Sequence, residues 1–272
     1  MSVKNFIPEL WSRQLLTNFR KNLVFGSLIN RNYEGEIRDA GDTVKITTPS
    51  AISVNAYSGT VTYETPVSTQ QSLLIDQQRY WAFELDDVDQ AQANVSLMQA
   101  YMAEAAYALA NDVDAALAGL YTEAGSNTLT IDLTATSPRQ NMYPVIVDAG
   151  RILDEANVPR TGRWAVLSPK GYAHVLKEAE FIQASDSAHA TLLSGQVGSI
   201  AGFTVYVSNN LTLATSRKYL FGTNAAITVA DQVTKTEALR RETAFKDAVR
   251  GLLVYGRKVV RPAALGVISA TE

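Results

Sequence analysis

GQVGSIAGFTVYVSNNL (Gly195–Leu211) and, further on, FKDAVRGLLVYGRKVVRP (Phe245–Pro262) are the stretches whose reading decides the fold of this 272-residue chain. In the first, Phe203–Val207 reads as a strand. Gly195, Gly198 and Gly202 ahead of it invite a phosphate-loop reading. Their spacing is wrong for one, and no helix starts behind them. They are read as turns that bring backbone close to a neighbour. In the second stretch, Leu252–Val260 reads as a long strand. Neither stretch holds a set of side chains that does chemistry, so both speak of architecture.

Outward from the first stretch, helices and strands alternate. Tyr219–Phe221 and Ala226–Val229 are expected strands, and residues 183–199, small and polar, an exposed loop. Arg163–Leu167 is a strand, followed by Ser168 as N-cap and Pro169 at the first helical position. That helix runs through Tyr172, Val175, Leu176 and Ala179. Pro144–Ala156 is helical, with Ile146, Ala149, Ile152, Leu153 and Ala156 on one face, and Asn157-Val158-Pro159 stops it. Thr128–Leu133 is a short strand behind the Gly125-Ser126-Asn127 turn. This alternation predicts a small α+β or α/β lobe. Val233–Leu239 and Leu252–Val260 then return as long strands to the first part of the chain.

Upstream, Asp86, Asp87 and Asp89 are placed to open a long helix that runs to about Leu120. Carboxylates at a helix start cap free N–H groups and oppose the dipole, which accounts for the three aspartates better than a metal cluster does. Val88, Ala91, Val95, Met98, Met102, Ala105, Leu109, Val113, Ala116 and Leu120 form one apolar stripe. About 30 residues at 1.5 Å each make a rod of roughly 45–50 Å. A coiled-coil dimer is the rival reading, but the stripe lacks the Leu and Ile that such seams prefer.

Gly41-Asp42 is a turn, Thr43–Thr47 a strand, and Leu73–Leu85 a strand leading back. Between them, Pro49–Ser72 alternates (Ile52, Val54; Val61, Tyr63) around Ser58-Gly59, with Tyr57 beside the turn. This predicts a long two-stranded hairpin whose only ionised side chain between Ser50 and Ser72 is Glu64. A lone hairpin is marginal in water, and a β-branched, aromatic one invites a partner surface. The plainer alternative is a hairpin packed on its own domain. Residues 1–40 hold short apolar pieces, among them Phe6, Trp11 and Phe19, which read as an arm with a short helix. Such an arm needs a neighbour, either its own body or another subunit.

Composition limits what this architecture can do. With 46% hydrophobic and 19% charged residues the chain is globular, one large or two modest domains. It holds no apolar run near the roughly 20 residues a membrane helix needs, and MSVKNFIPELWSRQ lacks the apolar core of a secretion signal. The absence of cysteine excludes disulfides, thiolate catalysis and cysteine-ligated zinc. Net charge is −3, and the richest basic stretch is Lys4, Arg13, Arg20 and Lys21 against Glu9. If DNA is a partner, it is enclosed rather than gripped. The two histidines are His174, expected to face solvent, and His189 in the small polar loop; they lie 15 residues apart, unlike a metal pair on one helical turn. No nucleophile elbow, zinc-protease motif or phosphate loop is present, so no catalytic, cofactor-binding or metal-binding residue is assigned.

Four phrases in this order resemble the major capsid protein of tailed double-stranded DNA bacteriophages, the Hong Kong 97-type fold. They are Ala40–Ile46; Leu153–Pro159 with Gly162–Pro169; Gly198–Leu211; and Phe245–Pro262. The resemblance implies an α+β subunit with an N-terminal arm (1–40) and, in 41–134, an extended loop (about 48–76) and a peripheral domain carrying a spine helix at 87–120. An axial domain follows (135–230), and 231–272 supply returning strands of the peripheral domain. By resemblance, such subunits close as hexamers and pentamers into an icosahedral head through heterologous contacts. Packaged double-stranded DNA is held without sequence-specific binding. A scaffolding protein and a portal protein are implied partners, with room for a decoration protein; no membrane and no cofactor is expected. The place is the virion, assembled in the host cytoplasm. The expected assembly interface comprises Trp11, Phe19, Ile52, Val54, Tyr57, Val61, Tyr63, Arg79, Gly195 and Gly198.

Two departures add to this. Some relatives cross-link a loop lysine to a neighbour's asparagine; Ser50–Ser72 contains no lysine, so no such bond is expected from this loop. Some relatives carry a cleaved scaffolding segment in front; here a separate scaffolding protein, or prior removal, is implied. An encapsulin-type bacterial nanocompartment, a shell around a cargo enzyme, shares the fold and similar length. The long, weakly charged hairpin and the arm favour the virus. A soluble enzyme is the remaining reading, and no motif supports it.

Overall fold

The computed structural model describes residues 25–32, 43–49, 52–56, 59, 63–65, 68–86, 96–135, 140–178, 199–241 and 246–272. Among them β1 (Thr43–Pro49) and β2 (Ser68–Leu74) form a two-stranded antiparallel ladder, from Thr43↔Leu74 to Pro49↔Ser68. The strand expected over 73–85 breaks at Ile75-Asp76, so β3 is Gln77–Asp86. Ile75, 1% exposed, turns into a small apolar cluster with Val44, Ile46, Leu73, Ala230 and Val254, and the chain changes sheets there.

β3 lies at one edge of a three-stranded antiparallel sheet, order β3-β10-β9, with β9 at Ile227–Arg240 and β10 at Lys246–Val259. The two strands expected at 226–229 and 233–239 are thus one 14-residue strand, whose pairing with β10 shifts register at Leu252/Leu253. Trp81 stacks on Phe83 at 5.6 Å, and Phe83 meets Tyr101 at 5.7 Å. Gly251 is what lets Trp81 cross the sheet: a Cβ there would lie 2.5 Å from the indole.

The long helix α1 is described over Ser96–Ala118 and tightens to a 3₁₀ turn at Gly119–Glu123. Met102, Leu109, Val113 and Leu120 of the expected stripe are buried, joined by Ala106, Ala110 and Leu117. Asp86 is not the helix start; it is the last residue of β3, opposite Lys246. Asp87 and Asp89 lie outside the described residues.

The third sheet has six strands, order β4-β11-β8-β5-β7-β6. They are β4 (Thr128–Asp132), β5 (Arg163–Leu167), β6 (Ser199–Ile200), β7 (Phe203–Val207), β8 (Arg217–Thr223) and β11 (Leu265–Thr271), with helices α2 (Met142–Glu155) and α3 (Pro169–Leu176) between β4 and β6. β11 departs from the expected grouping of 231–272: it does not join β9 and β10 in the three-stranded sheet but lies between β4 and β8. The reason is its composition, since Leu265, Val267, Ile268 and Ala270 are all buried and need cover on both faces.

Residues 25–32, the described part of the expected arm, pack on the chain's own body. Phe25 is wholly buried, edge-on to Trp164 at 6.2 Å, and its N–H donates to the buried carboxylate of Asp114 on α1 at 2.9 Å. Asn30 bridges to Thr228, and Arg31 pairs with Asp231 at 2.7 Å. This part of the N-terminal segment finds its neighbour in its own body; Trp11 and Phe19 lie outside the described residues. One apolar core joins Phe25, the buried face of α1, the six-stranded sheet and the roots of β9 and β10.

Candidate assembly site

The extended loop is rooted firmly and exposed beyond its root. Gln71 Nε2 donates to the Val260 carbonyl at 3.3 Å and Lys258 Nζ to the Ser72 carbonyl at 2.9 Å. A Cβ on Gly256 would sit 2.4 Å from the Leu74 carbonyl, so glycine permits the close approach. Past the ladder, Ile52, Val54 and Tyr63 are 76%, 98% and 91% exposed. The Ser53 N–H donates to Glu64 across the loop at 3.2 Å, and Gly59 takes φ +95°. Apolar side chains so far into water are worth roughly 1.5–3 kcal/mol each when covered. Tyr57 and Val61 lie outside the described residues.

Arg79 sits differently. Its Nε donates to Asp112 of α1 at 2.8 Å, each side chain about half exposed. The hydrogen bond and charge of Asp112 raise the Arg79 pKa. Arg79 therefore pins the spine helix to β3 within one chain.

The face of the three-stranded sheet turned away from Trp81 and Phe83 carries rows of aligned side chains. Leu252 stands opposite Tyr80 and Lys235, Arg250 opposite Ala82 and Glu237, and Ala248 opposite Glu84 and Leu239. Tyr80 is 80% exposed, and Leu239 is about half exposed. Arg250 holds Glu237 through Nε at 2.9 Å and Nη2 at 2.5 Å, which lowers the Glu237 carboxyl. Arg241 pairs with Glu84 at the end of the face. A groove of about 530 Å³ runs over Tyr80 and Leu252. Sequence reading missed this face; the alternation of Gln78, Tyr80, Ala82 and Glu84 with Arg79, Trp81 and Phe83 was its signal.

The lobe built on the six-stranded sheet is held by buried polar side chains. At the end of α2, Asn157 takes φ +55°. The N–H of Val158 returns to Leu153 O and that of Asn157 to Asp154 O, so the helix closes where Asn-Val-Pro predicted. Arg163, 4% exposed, donates to Asp154 at 2.7 Å and to the carbonyls of Val158 at 2.6 Å and Pro159 at 3.0 Å. Glu178, equally buried, accepts the N–H groups of Met142 and Tyr143 (the latter at 2.8 Å), and so caps α2 from a distance. Ser168 caps α3 through the Gly171 N–H at 3.0 Å, as expected, and its hydroxyl also contacts Tyr219 and Glu272. Burial, then Glu272, pushes the Tyr219 phenol up. Burial alone would raise Glu272, but hydrogen bonds from Ser168 and Tyr219 and the charge of Arg217 outweigh it and hold the carboxyl low. The hydroxyl is thus engaged as a cap in a buried lock with Tyr219 and the Glu272 carboxylate.

Gly202, at φ +85°, and Ala201, at φ +48°, make the two-residue turn between β6 and β7; Gly195 and Gly198 lie outside the described residues. His174 is half-buried rather than solvent-facing, because α3 packs closely on the lobe; His189 lies outside the described residues. Among the described residues, no three His, Cys, Asp or Glu side chains cluster as a metal site would require. No helix among them is long and apolar enough to cross a membrane.

Comparison with known proteins places this geometry. A family model described as phage capsid protein matches residues 70–268. A chain solved from Mycobacterium phage Che8 is 28% identical, with 90% of each chain covered and a TM-score of 0.73. The capsid of cyanophage P-SCSP1u is similar at 17% identity, covering 93% of this chain and 98% of that one, TM-score 0.67. A virus-like particle from Pyrococcus furiosus is similar at 16% identity, covering 97% and 99%, TM-score 0.59. No match is found among curated proteins. The chain belongs to the phage capsid protein family. It is a structural protein of the virion with the Hong Kong 97-type α+β fold.

Proposed function

We propose that copies of this chain close, as hexamers and pentamers, into an icosahedral head that encloses double-stranded DNA. The observation that carries this is the extended loop, whose Ile52, Val54 and Tyr63 stand in solvent on a firmly anchored ladder. Such a surface gains by meeting another copy, and a heterologous contact that closes on itself makes a container. Ile52, Val54 and Tyr63, with Trp11, Phe19, Tyr57, Val61, Gly195 and Gly198, are the proposed contact residues. Arg79 belongs to the support of this surface through Asp112. The axial role is proposed for the six-stranded lobe, and the peripheral role for α1 with the three-stranded sheet. A scaffolding protein and a portal protein are the proposed partners in assembly in the host cytoplasm, with room for a decoration protein outside. The packaged DNA is contained without base-specific contacts.

Sedimentation and electron microscopy of the expressed protein, alone and with its scaffolding protein, test this. Closed particles are the expected result. A chain that stays monomeric in both would overturn it. A shell around a cargo enzyme is the second reading, kept by the likeness to the Pyrococcus particle. Nuclease-protected duplex DNA in purified particles supports the head; a stoichiometric enzyme inside supports the compartment.

A further inference from the structure

We propose that the groove at the strand crossover between the two larger sheets is a docking site for a short extended segment of a second protein, one that sets a carboxylate beside proline or aliphatic side chains. This goes beyond the shell reading and does not depend on it.

Its place comes from the topology. After β8 the chain leaves the six-stranded sheet for β9, and after β10 it comes back as β11. The two crossings, at 223–225 and 261–264, meet the turn that ends α2 and leads into β5, and the three together line a groove of about 730 Å³. Ligand pockets of roughly 300–1,000 Å³ form preferentially at junctions of this kind.

The walls are held open by bonds of their own. The buried Arg163 donates to the carbonyls of Val158 at 2.6 Å and Pro159 at 3.0 Å, which fixes the turn after α2. Asn127 Nδ2 donates to the carbonyls of Ala263 at 3.1 Å and Leu265 at 3.0 Å, which fixes the return into β11. The Ala226 carbonyl accepts the N–H groups of Val260 at 2.9 Å and Arg261 at 3.2 Å, tying one crossing to the other. The facing side chains are short, among them Pro159, Ala225, Pro262 and Ala263, so none of them fills the space. A cleft formed in advance binds without first having to be ordered.

The lining also says what fits. Arg261 is its one charged side chain, and no Asp or Glu stands in the wall. Among the described residues Arg261 makes no ion pair, and its guanidinium is a planar fork suited to a carboxylate. Asn157 and Asn224, on two different walls, carry amides that both donate and accept, which matches the N–H and C=O groups of an extended backbone. Val158, Pro159 and Pro262 offer apolar surface to the side chains between. An apolar, amide-bearing groove with one unpaired cation is complementary to an acidic, apolar peptide and discriminates against a basic one.

The test uses the full chain and a panel of fluorescein-labelled, amide-capped pentapeptides, each with one Glu among Leu, Val and Pro, read by fluorescence anisotropy. At least one probe is expected to bind saturably, at about 10–100 μM. Exchange of its Glu for Gln and the substitution Arg261→Ala should each weaken binding about tenfold, and the two together by no more than either alone. Ala263→Trp and Ala225→Trp, at exposed positions on two separate walls, should each abolish binding while melting as the parent does; with two plugs, a folding defect in one leaves the other to decide. No binding across the panel, additive losses from the probe and Arg261 changes, or binding that survives a folded plug would overturn the site. Loss of particle formation on Arg261→Ala, where the parent forms particles, would put another copy of this chain in the groove and overturn it equally.

Discussion

Arg163 illustrates work that one side chain does in this lobe and that a conservative exchange cannot copy. Its planar fork reaches one carboxylate and two turn carbonyls at once, whereas a lysine supplies a point charge. Arg163→Ala should lower stability by about 2–4 kcal/mol and Arg163→Lys by about half as much, read by thermal or urea unfolding. Ala201 is the opposite case, a residue in a left-handed turn that its side chain does not favour. Ala201→Asn should stabilise by about 0.5–1 kcal/mol in the same assay. Glu272 sets an acid dependence. Its carboxyl is held below the usual 4.5, so its contribution is present above that value and is lost as pH falls through the lower folded-state value. Glu272→Gln should therefore unfold more easily than the parent at about pH 6, and the gap should close towards about pH 3.

At the level of elements, the legible parts were those with strong local signals. The Asn-Val-Pro stop, the Ser168 cap with Pro169 and the strands at 163–167 and 203–207 stand where the sequence puts them. What could not be read locally was the choice of sheet. The alternation of Leu73–Leu85 continues through Ile75, and only the packing of Ile75 against Val254 and Ala230 breaks the strand. The embedding of Phe25 depends on Asp114, 89 residues away, and no short-range pattern carries that. In the candidate site, exposed loop residues were visible as β-branched and aromatic positions in a stretch whose one ionised side chain is Glu64. The sheet face with Tyr80 was not, because it needs the register of three strands. Two tests belong here. Gly251→Ala drives a methyl into Trp81 and should cost about 1–3 kcal/mol in unfolding experiments. Deleting Ile52–Thr69 should leave a cooperatively melting monomer that no longer forms particles, since the ladder root and core stay intact; a non-cooperative melt would show that the loop is part of the fold.

For the whole molecule, the −3 net charge and the long helix without a single Lys or Arg between Ser96 and Ala118 leave little surface that could grip phosphates, which suits the proposed enclosure of DNA without specific binding. The unassembled chain should give no mobility shift of short duplex DNA at micromolar concentration and about 150 mM salt, because few phosphates can be neutralised. The core that runs unbroken from Phe25 and α1 into the six-stranded sheet has a mechanical corollary. A tile welded through its middle has no internal joint. In the shell proposed above, where five-fold and six-fold surroundings demand different tilts, the bending would fall to the fringes, above all to the slender ribbon that starts at Thr43.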